Sequence, residues 1–406
     1  MTSKTLQSIP GGITAPAGFR AAGVTAGIKS PKPDLALIVS DRPGVIAGTF
    51  TTNRIQGAHV KLCKRRLATS RAARAIVINA GNANACNGPQ GLKDAQRMTE
   101  VAAGELGFDA GSVFVCSTGT IGIPMPMDKV VAGIRQAARA LSPTGGDAAA
   151  HAIMTTDTVD KQVAYELAVD GRAVRVGGMA KGAGMIEPNM ATLLGFLTTD
   201  AAVRPDALQA CLSSAVDGSF NRITVDGDQS CNDTVLLLAN GAAGNRPLGP
   251  RHPDWTAFRE AVREAALALA MKIVRDGEGA TKFVTVRVVR AASPADARRA
   301  TRAVANSLLV KTAWFGGDPN WGRIIDAAGY SGARVVEEKT DIKFDGLWAV
   351  RGGRRADGVS LKDLEAIYAQ PSFTVEIDLH LGKASDTVFT CDCSYDYVKI
   401  NAEYMT

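Results

Sequence analysis

Residues 178 to 200 constrain this chain more than any other stretch. Gly178-Met-Ala-Lys181-Gly-Ala-Gly184 runs through Ile186-Glu-Pro188 into Ala191-Thr192, and then directly into the apolar run Leu193-Leu-Gly-Phe-Leu197. Glycine admits backbone conformations closed to other residues, and the apolar run reads as a strand, so one threonine hydroxyl sits at a loop-to-strand junction. Two nucleotide-binding loops fit poorly. A Walker loop needs Gly-x-x-x-x-Gly-Lys-Ser/Thr, whereas Lys181 follows Ala180; a dinucleotide fingerprint needs a helix after it, whereas a strand follows here. Two readings stay open. The stretch is a tight connection without chemistry, or Thr192 attacks the carbonyl of Ala191, cuts its own chain and becomes an amino-terminal nucleophile with its α-amine as base.

A chain of 406 residues can bury a sizeable core and is more naturally two domains than one. The net charge of +6 is spread thinly, with Lys64-Arg65-Arg66 and Arg351 to Arg355 the densest groups. That pattern lacks the continuous basic footprint of a nucleic-acid-binding protein. No run approaches the roughly 18 apolar residues of a membrane span, and the first residues lack the apolar core of a secretory signal, so a cytoplasmic protein is expected. Seven cysteines, at 63, 86, 116, 211, 231, 391 and 393, form no Cys-x-x-Cys pair, and the odd count argues against a disulfide framework. Four dispersed histidines give no zinc pattern, so neither metal nor cofactor is expected.

Short apolar runs place strands at 34–40, 48–53, 75–79, 113–116 and 284–288, and helical spacing places helices near 92–106, 128–141 and 255–274. The strand at 113–116 opens into Ser117-Thr118-Gly119-Thr120, where small residues could aim backbone amides into a cavity or simply turn the chain. His151 reads as an ordinary surface or core histidine. The stretch 221–234 is dense in carboxylates and amides, but its spacing misses a calcium loop and fits an internally hydrogen-bonded one. Ser293-Pro294 starts a helix with Asp296 in its first turn. Residues 311–323 look like a second glycine-rich loop, with two tryptophans. Alternation over 373–381 puts His380 on the polar face of a strand, a poor catalytic position. The apolar carboxyl terminus is expected to dock. A domain boundary near 285 divides the chain into 1–285 and 286–406.

Several long motifs, in order, now carry a resemblance. They are Gly11-Gly-Ile-Thr-Ala-Pro-Ala-Gly-Phe-Arg-Ala-Ala-Gly23, Ser117-Thr-Gly119, Lys181 to Thr192, Ile223-Thr-Val-Asp-Gly-Asp228, Gly317-Asp-Pro-Asn-Trp-Gly-Arg-Ile324 and Val398-Lys-Ile-Asn-Ala-Glu403. Over nearly its whole length the chain resembles the ornithine acetyltransferases, the glutamate N-acetyltransferases of arginine biosynthesis. The resemblance implies an α+β fold, a layered α/β/β/α sandwich with a smaller α+β carboxyl-terminal domain. It implies cleavage between Ala191 and Thr192 into chains 1–191 and 192–406, assembled as a heterotetramer of two cleaved pairs. Thr192 is then the nucleophile, Thr118 and Gly119 form the oxyanion hole, and Thr155, Lys181, Thr192, Glu278, Asn401 and Thr406 contact substrate, with Thr156 an alternative to Thr155. Gln229 and Met405 depart from the family pattern, and the second puts the terminal contacts in question.

The implied reaction moves acetyl from N2-acetyl-L-ornithine to L-glutamate in ping-pong fashion, with acetylornithine alone or acetylornithine and acetyl-CoA as donors. An amino-terminal-threonine amidase or peptidase, passing the acyl group to water, is the competing enzyme class.

Overall fold

The computed structural model describes residues 6–29, 31–187 and 193–403. The described residues divide into two compact units, one within 6–221 and 228–273 and one of residues 222–227 and 274–403. The structure is a mixed α/β fold in which each unit carries its own sheet.

The first unit is built on nine strands: β1 (Gln7–Ser8), β2 (Phe19–Val24), β3 (Leu35–Phe50), β4 (Ala72–Asn82), β5 (Val113–Thr120), β6 (Lys161–Val169), β7 (Arg172–Lys181), β8 (Leu194–Thr199) and β9 (Thr234–Ala239). Their order is β1-β6-β7-β8-β9-β3-β4-β5, with β2 also on β3. The two strands expected at 34–40 and 48–53 are one, β3. Its first part, Leu35 to Val39, pairs with both β2 and β4, while Val45 to Phe50 pairs with β9. Between them the register slips at exposed Asp41-Arg42-Pro43, because proline has no N–H for the ladder and local hydrogen bonds between Ser40 and Arg42 take over. One bent strand thus serves both parts of the sheet. A single core holds Leu37 and Ile78 from one part and Met179, Phe196 and Leu236 from the other, the packing expected of layered sheets. Helices Gly88–Leu106, Met127–Arg139 and Gly146–Ile153 contribute Met98, Ile134 and Ile153 to that core.

The second unit has the sheet order β13-β12-β11-β14-β10-β15. Its strands are β10 (Phe283–Ala291), β11 (Asp341–Phe344), β12 (Leu347–Arg351), β13 (Arg354–Arg355), β14 (Ser372–Asp378) and β15 (Ala384–Cys391). β10 runs parallel to β14 and antiparallel to β15. Residues 222–227 join this unit through the Arg222–Asp386 ion pair and the Thr224 amide, which donates to the Phe389 carbonyl at 2.9 Å. The Ser293 hydroxyl caps helix Pro294–Asn306 as expected, accepting from the Asp296 amide at 3.1 Å.

Two expectations are corrected here. Residues 311–323 are not a loop: Ser307 caps helix Leu308–Gly316 and Asn320 caps helix Trp321–Gly329, leaving four residues between them, with Gly317 at φ +72° ending the first. The strand at 373–381 stops at Asp378, and His380, at φ +50°, lies beyond it with Nε2 2.7 Å from Asp341 Oδ2. The carboxyl-terminal segment docks as helix Tyr395–Glu403, with the Tyr397 hydroxyl donating to Asp226 Oδ2 at 3.3 Å and the Tyr395 ring edge-on to Phe315, although Tyr395 is 83% and Val398 64% exposed.

Candidate active site

In the first unit the expected oxyanion residues sit at the end of β5. β4 and β5 are parallel, pairing Ala80 with Thr118 and Gly81 with Gly119 before the ladder becomes irregular at Asn82. Gly119 is at φ +125°, and a Cβ there would lie 2.3 Å from the Gly81 carbonyl carbon. Only glycine fits that approach. Ser117 and Thr118 are therefore strand residues with buried side chains, where composition alone suggested a turn.

Lys181 ends β7, opposite Leu194 of β8. Its side chain is buried, and Nζ donates to Thr118 Oγ1 at 3.4 Å. The next amide, Gly182, donates at 2.7 Å to Oδ1 of Asp157, which also takes Lys161 Nζ at 2.7 Å. Oδ2 of Asp157 accepts the Thr155 amide at 2.9 Å. Burial alone would raise the Asp157 carboxyl, but Lys181, Lys161 and the Gly182 amide outweigh it and hold the group at about 2. Asp157 thus ties half-buried Thr155 to buried Lys161 and Lys181. Thr155 and Thr156 are both half-buried, and it is the Thr155 amide that Asp157 holds.

Sequence reasoning missed Asp157, and also Lys29. The Lys29 backbone amide donates to Asp34 Oδ2 at 2.8 Å, and its ammonium contacts the Met154 carbonyl. Its side chain packs on Gly81, where an added Cβ would come within 2.9 Å of Lys29 Cβ. Burial lowers the ammonium to about 8, with Lys181 and Lys32 adding to the shift and Asp34 and Asp157 opposing it. Two lysines, 29 and 181, therefore share the strand end that carries Thr118. The only trace of either residue in the sequence was an isolated polar position next to an otherwise ordinary motif.

The loop before β9 is internally hydrogen-bonded, as its composition suggested. Asn232 Nδ2 donates to the carbonyls of Ala83 at 2.6 Å and Ser117 at 2.9 Å, pinning the end of β5. His59, wholly buried, places Nε2 3.0 Å from the Asn232 carbonyl and 3.2 Å from Thr234 Oγ1. Burial lowers its imidazole to about 4, only partly offset by the Asn232 carbonyl. The folded value is below the unfolded one of about 6.5, so the unfolded chain binds the extra proton. Stability is whole above pH ~6.5 and declines by about 3 kcal/mol as pH falls toward 4. Thermal melts of the parent and a His59→Gln variant between pH 7 and 4.5 are expected to show a shallower pH slope in the variant.

In the second unit, Glu278 is buried, and its Oε2 accepts from Asn401 Nδ2 at 2.7 Å. Gly279 makes the approach possible, since a Cβ there would meet the Tyr397 amide nitrogen at 2.5 Å. Ala191, Thr192, Met405 and Thr406 lie outside the described residues. Gln229 is exposed.

Among the described residues one trio has metal-ligand types together: Asp170, His252 and Asp254, with ligand atoms within 4.8 Å of one another. The Asp170 carboxylate is already engaged by Arg246 Nη2 at 2.6 Å and His252 Nε2 at 3.2 Å, an arrangement of ion pairs. All seven cysteines are free, and burial raises the thiols of Cys63, Cys116, Cys211, Cys231 and Cys391, so none of these five is a ready thiolate. No helix among the described residues is long and apolar enough to cross a membrane.

In this mixed α/β fold one strand end gathers a close-packed glycine pair, the Thr118 hydroxyl, buried Lys181 and half-buried Lys29. Residues 20–406 match the model of the ArgJ family, and the chain belongs to that family. It is 50% identical over 406 residues to the "Arginine biosynthesis bifunctional protein ArgJ" of Symbiobacterium thermophilum, covering 99% of this chain and 100% of the relative. Among solved structures, the protein of the same description from Bacillus halodurans is 43% identical with a TM-score of 0.50, over 52% of this chain and 100% of its own. An ornithine acetyltransferase from Mycobacterium tuberculosis, solved with ornithine, is 45% identical with a TM-score of 0.42, over 47% of this chain and 100% of its own.

Proposed function

We propose that this chain is a self-cleaving acetyltransferase of arginine biosynthesis, moving acetyl from N2-acetyl-L-ornithine to L-glutamate through an ester on Thr192. The observation that carries the reading is the contact of Lys181 Nζ with Thr118 Oγ1, on the rung where Lys181 pairs with Leu194, two residues after Thr192. In the cleavage step Thr192 Oγ bonds to the Ala191 carbonyl carbon, the peptide C–N bond breaks with a proton going to nitrogen, and water then hydrolyses the ester. The second chain has 406 − 191 = 215 residues, roughly 53% of the whole. The solved relative whose entire chain corresponds to 52% of this one is of that length and supports the division.

The freed α-amine, with an ordinary pKa of about 7.7 to 8.0, accepts the Thr192 hydroxyl proton near neutral pH. Oγ attacks the acetyl carbonyl, Thr118 and Gly119 steady the oxyanion, and ornithine leaves with the proton on its α-nitrogen. The glutamate α-amine then attacks the ester and restores Thr192. Lys181, with Lys29 beside it, receives a substrate carboxylate, and Glu278, held by Asn401, receives the distal ammonium of ornithine. Thr155 and Thr406 complete the substrate contacts. The word "bifunctional" in the relatives' name supports acetyl-CoA as a second donor. Exposed Leu308, Leu309, Tyr330, Tyr395 and Val398 support association of the cleaved pairs into a heterotetramer.

Thr118→Val keeps the shape and removes the hydroxyl. Loss of one oxyanion donor costs ~10²–10³ in kcat, so steady-state rates with acetylornithine and glutamate are expected to show a kcat drop of that order with KM nearly constant. A normal kcat would remove the Thr118 hydroxyl from the oxyanion hole.

A further inference from the structure

Lys29 ends a turn that is held firmly in place. Asp34, wholly buried, accepts the Ala26 amide at 2.6 Å on one carboxylate oxygen and the Lys29 amide at 2.8 Å on the other, and its carbonyl accepts the Ala80 amide at 2.8 Å. Lys129 Nζ, from helix Met127–Arg139, donates to the Gly27 carbonyl at 2.9 Å and ties down the same turn. The Lys29 stem lies on Gly81, which pairs with Gly119 on β5. Lysine ordinarily keeps its ammonium in water. This one is turned inward and half-buried.

An ammonium carries three N–H donors, and the Met154 carbonyl takes one of them. The carboxylates nearby are already engaged, Asp34 by the two amides and Asp157 by Lys161 Nζ and the amides of Gly182 and Thr155. The charged groups that act on Lys29 are Asp34 and Lys32 on its own loop, Asp157 after helix Gly146–Ile153, and Lys181 on β7. Lys29 and Lys181 repel each other, and an anion held by both relieves that repulsion.

The two substrates differ in the anions they bring. Acetylornithine has one carboxylate, beside its reacting nitrogen, and a distal ammonium; glutamate has the same carboxylate and a second at the far end of its side chain. Lys181 touches the Thr118 hydroxyl and suits the carboxylate beside the reacting nitrogen, which both substrates carry. Lys29 bonds to Met154 and suits the one that the acceptor alone carries. We propose that Lys29 binds the distal carboxylate of glutamate and so selects glutamate as the acetyl acceptor. The inference rests on the acetyl-transfer reading above. Lys29 remains an ammonium throughout and exchanges no proton.

The test compares glutamate with glutamine, whose distal group is a neutral amide, as acceptors at saturating acetylornithine, in the parent, Lys29→Met and Lys29→Arg, with melting temperatures alongside. The parent favours glutamate in kcat/KM, and Lys29→Met lowers the glutamate-to-glutamine ratio by about ten-fold or more, the scale of a hydrogen bond to a charged group. The loss falls on KM for glutamate more than on kcat. A merely structural residue would weaken both acceptors alike and leave the ratio unchanged. A second readout is pH, because kcat/KM reports the enzyme form that meets the acceptor. Burial lowers the Lys29 ammonium to about 8, so it is charged below that pH and neutral above it, and the parent ratio falls between pH 7 and 9. Arginine stays charged, so Lys29→Arg holds its ratio over that range. These pH profiles decide the matter if Lys29→Met does not fold. A parent without a preference for glutamate, a parent ratio flat to pH 9, or a ratio untouched in Lys29→Met overturns the assignment of Lys29. A parent that passes acetyl to neither amino acid overturns the acetyl-transfer reading instead.

Discussion

Thr192→Ala is expected to leave the 42.4 kDa chain uncut and to lower acetyl transfer by ~10⁴-fold or more, the scale seen when a catalytic nucleophile is removed. Both losses have one cause. The hydroxyl that attacks Ala191 is the hydroxyl that carries acetyl, and cleavage is what frees the amine that activates it. Thr192→Ser keeps the hydroxyl but loses the β-methyl that restricts χ1, so it should cut and turn over more slowly than the parent without being silent. Denaturing mass analysis and steady-state rates on the same preparations separate the cases. A Thr192→Ala chain that still splits between residues 191 and 192 would remove Thr192 from the cleavage step.

Asp157→Asn is expected to produce the largest loss of stability. Lys161 is 1% exposed at its side chain and Asp157 0%, with Nζ and Oδ1 2.7 Å apart. Neutralising Asp157 removes from buried Lys161 the carboxylate 2.7 Å from its Nζ, and Lys181 loses the same influence. Breaking such a pair from one side costs about 3–5 kcal/mol, which for a unit of this size lowers the melting temperature by roughly 10 °C. The pH dependence has a definite sign. The folded value of about 2 lies below the unfolded value near 3.9, so the contribution is present above pH ~4 and is lost as pH falls toward 2. It amounts to about 2 kcal/mol. Calorimetric melts at neutral pH test the substitution, and a shift below about 2 °C would mean that the array relaxes around the change.

What the sequence disclosed depended on whether the signal was local. Periodicity located β4, β5, β10 and the helices that cover them, because burial on one face imposes its spacing within a few residues. It divided β3 into two strands at Pro43, since a bend that changes pairing partners looks like an end when only one strand is in view. It took 311–323 for a loop because Gly316, Gly317, Pro319 and Gly322 fall there, although Ser307 and Asn320 are both cap residues. In the candidate site, Thr118, Gly119, Thr155, Lys181, Glu278 and Asn401 came from long motifs. The structure sets Thr118, Thr155 and Lys181 around Asp157 in one unit and pairs Glu278 with Asn401 in the other. Asp157 and Lys29 were not legible. Their importance lies in burial and in partners from distant strands, such as Lys161 for Asp157 and Met154 for Lys29.

The central claim is that Thr192 carries the acetyl group between donor and acceptor. Enzyme incubated with N2-acetylornithine alone, quenched rapidly in acid and separated into its chains, tests it most directly. The account predicts one acetyl group on the chain that begins at Thr192, removed when glutamate is added before the quench. Rapid acetyl transfer to glutamate with no acetyl on that chain at any quench time would contradict it.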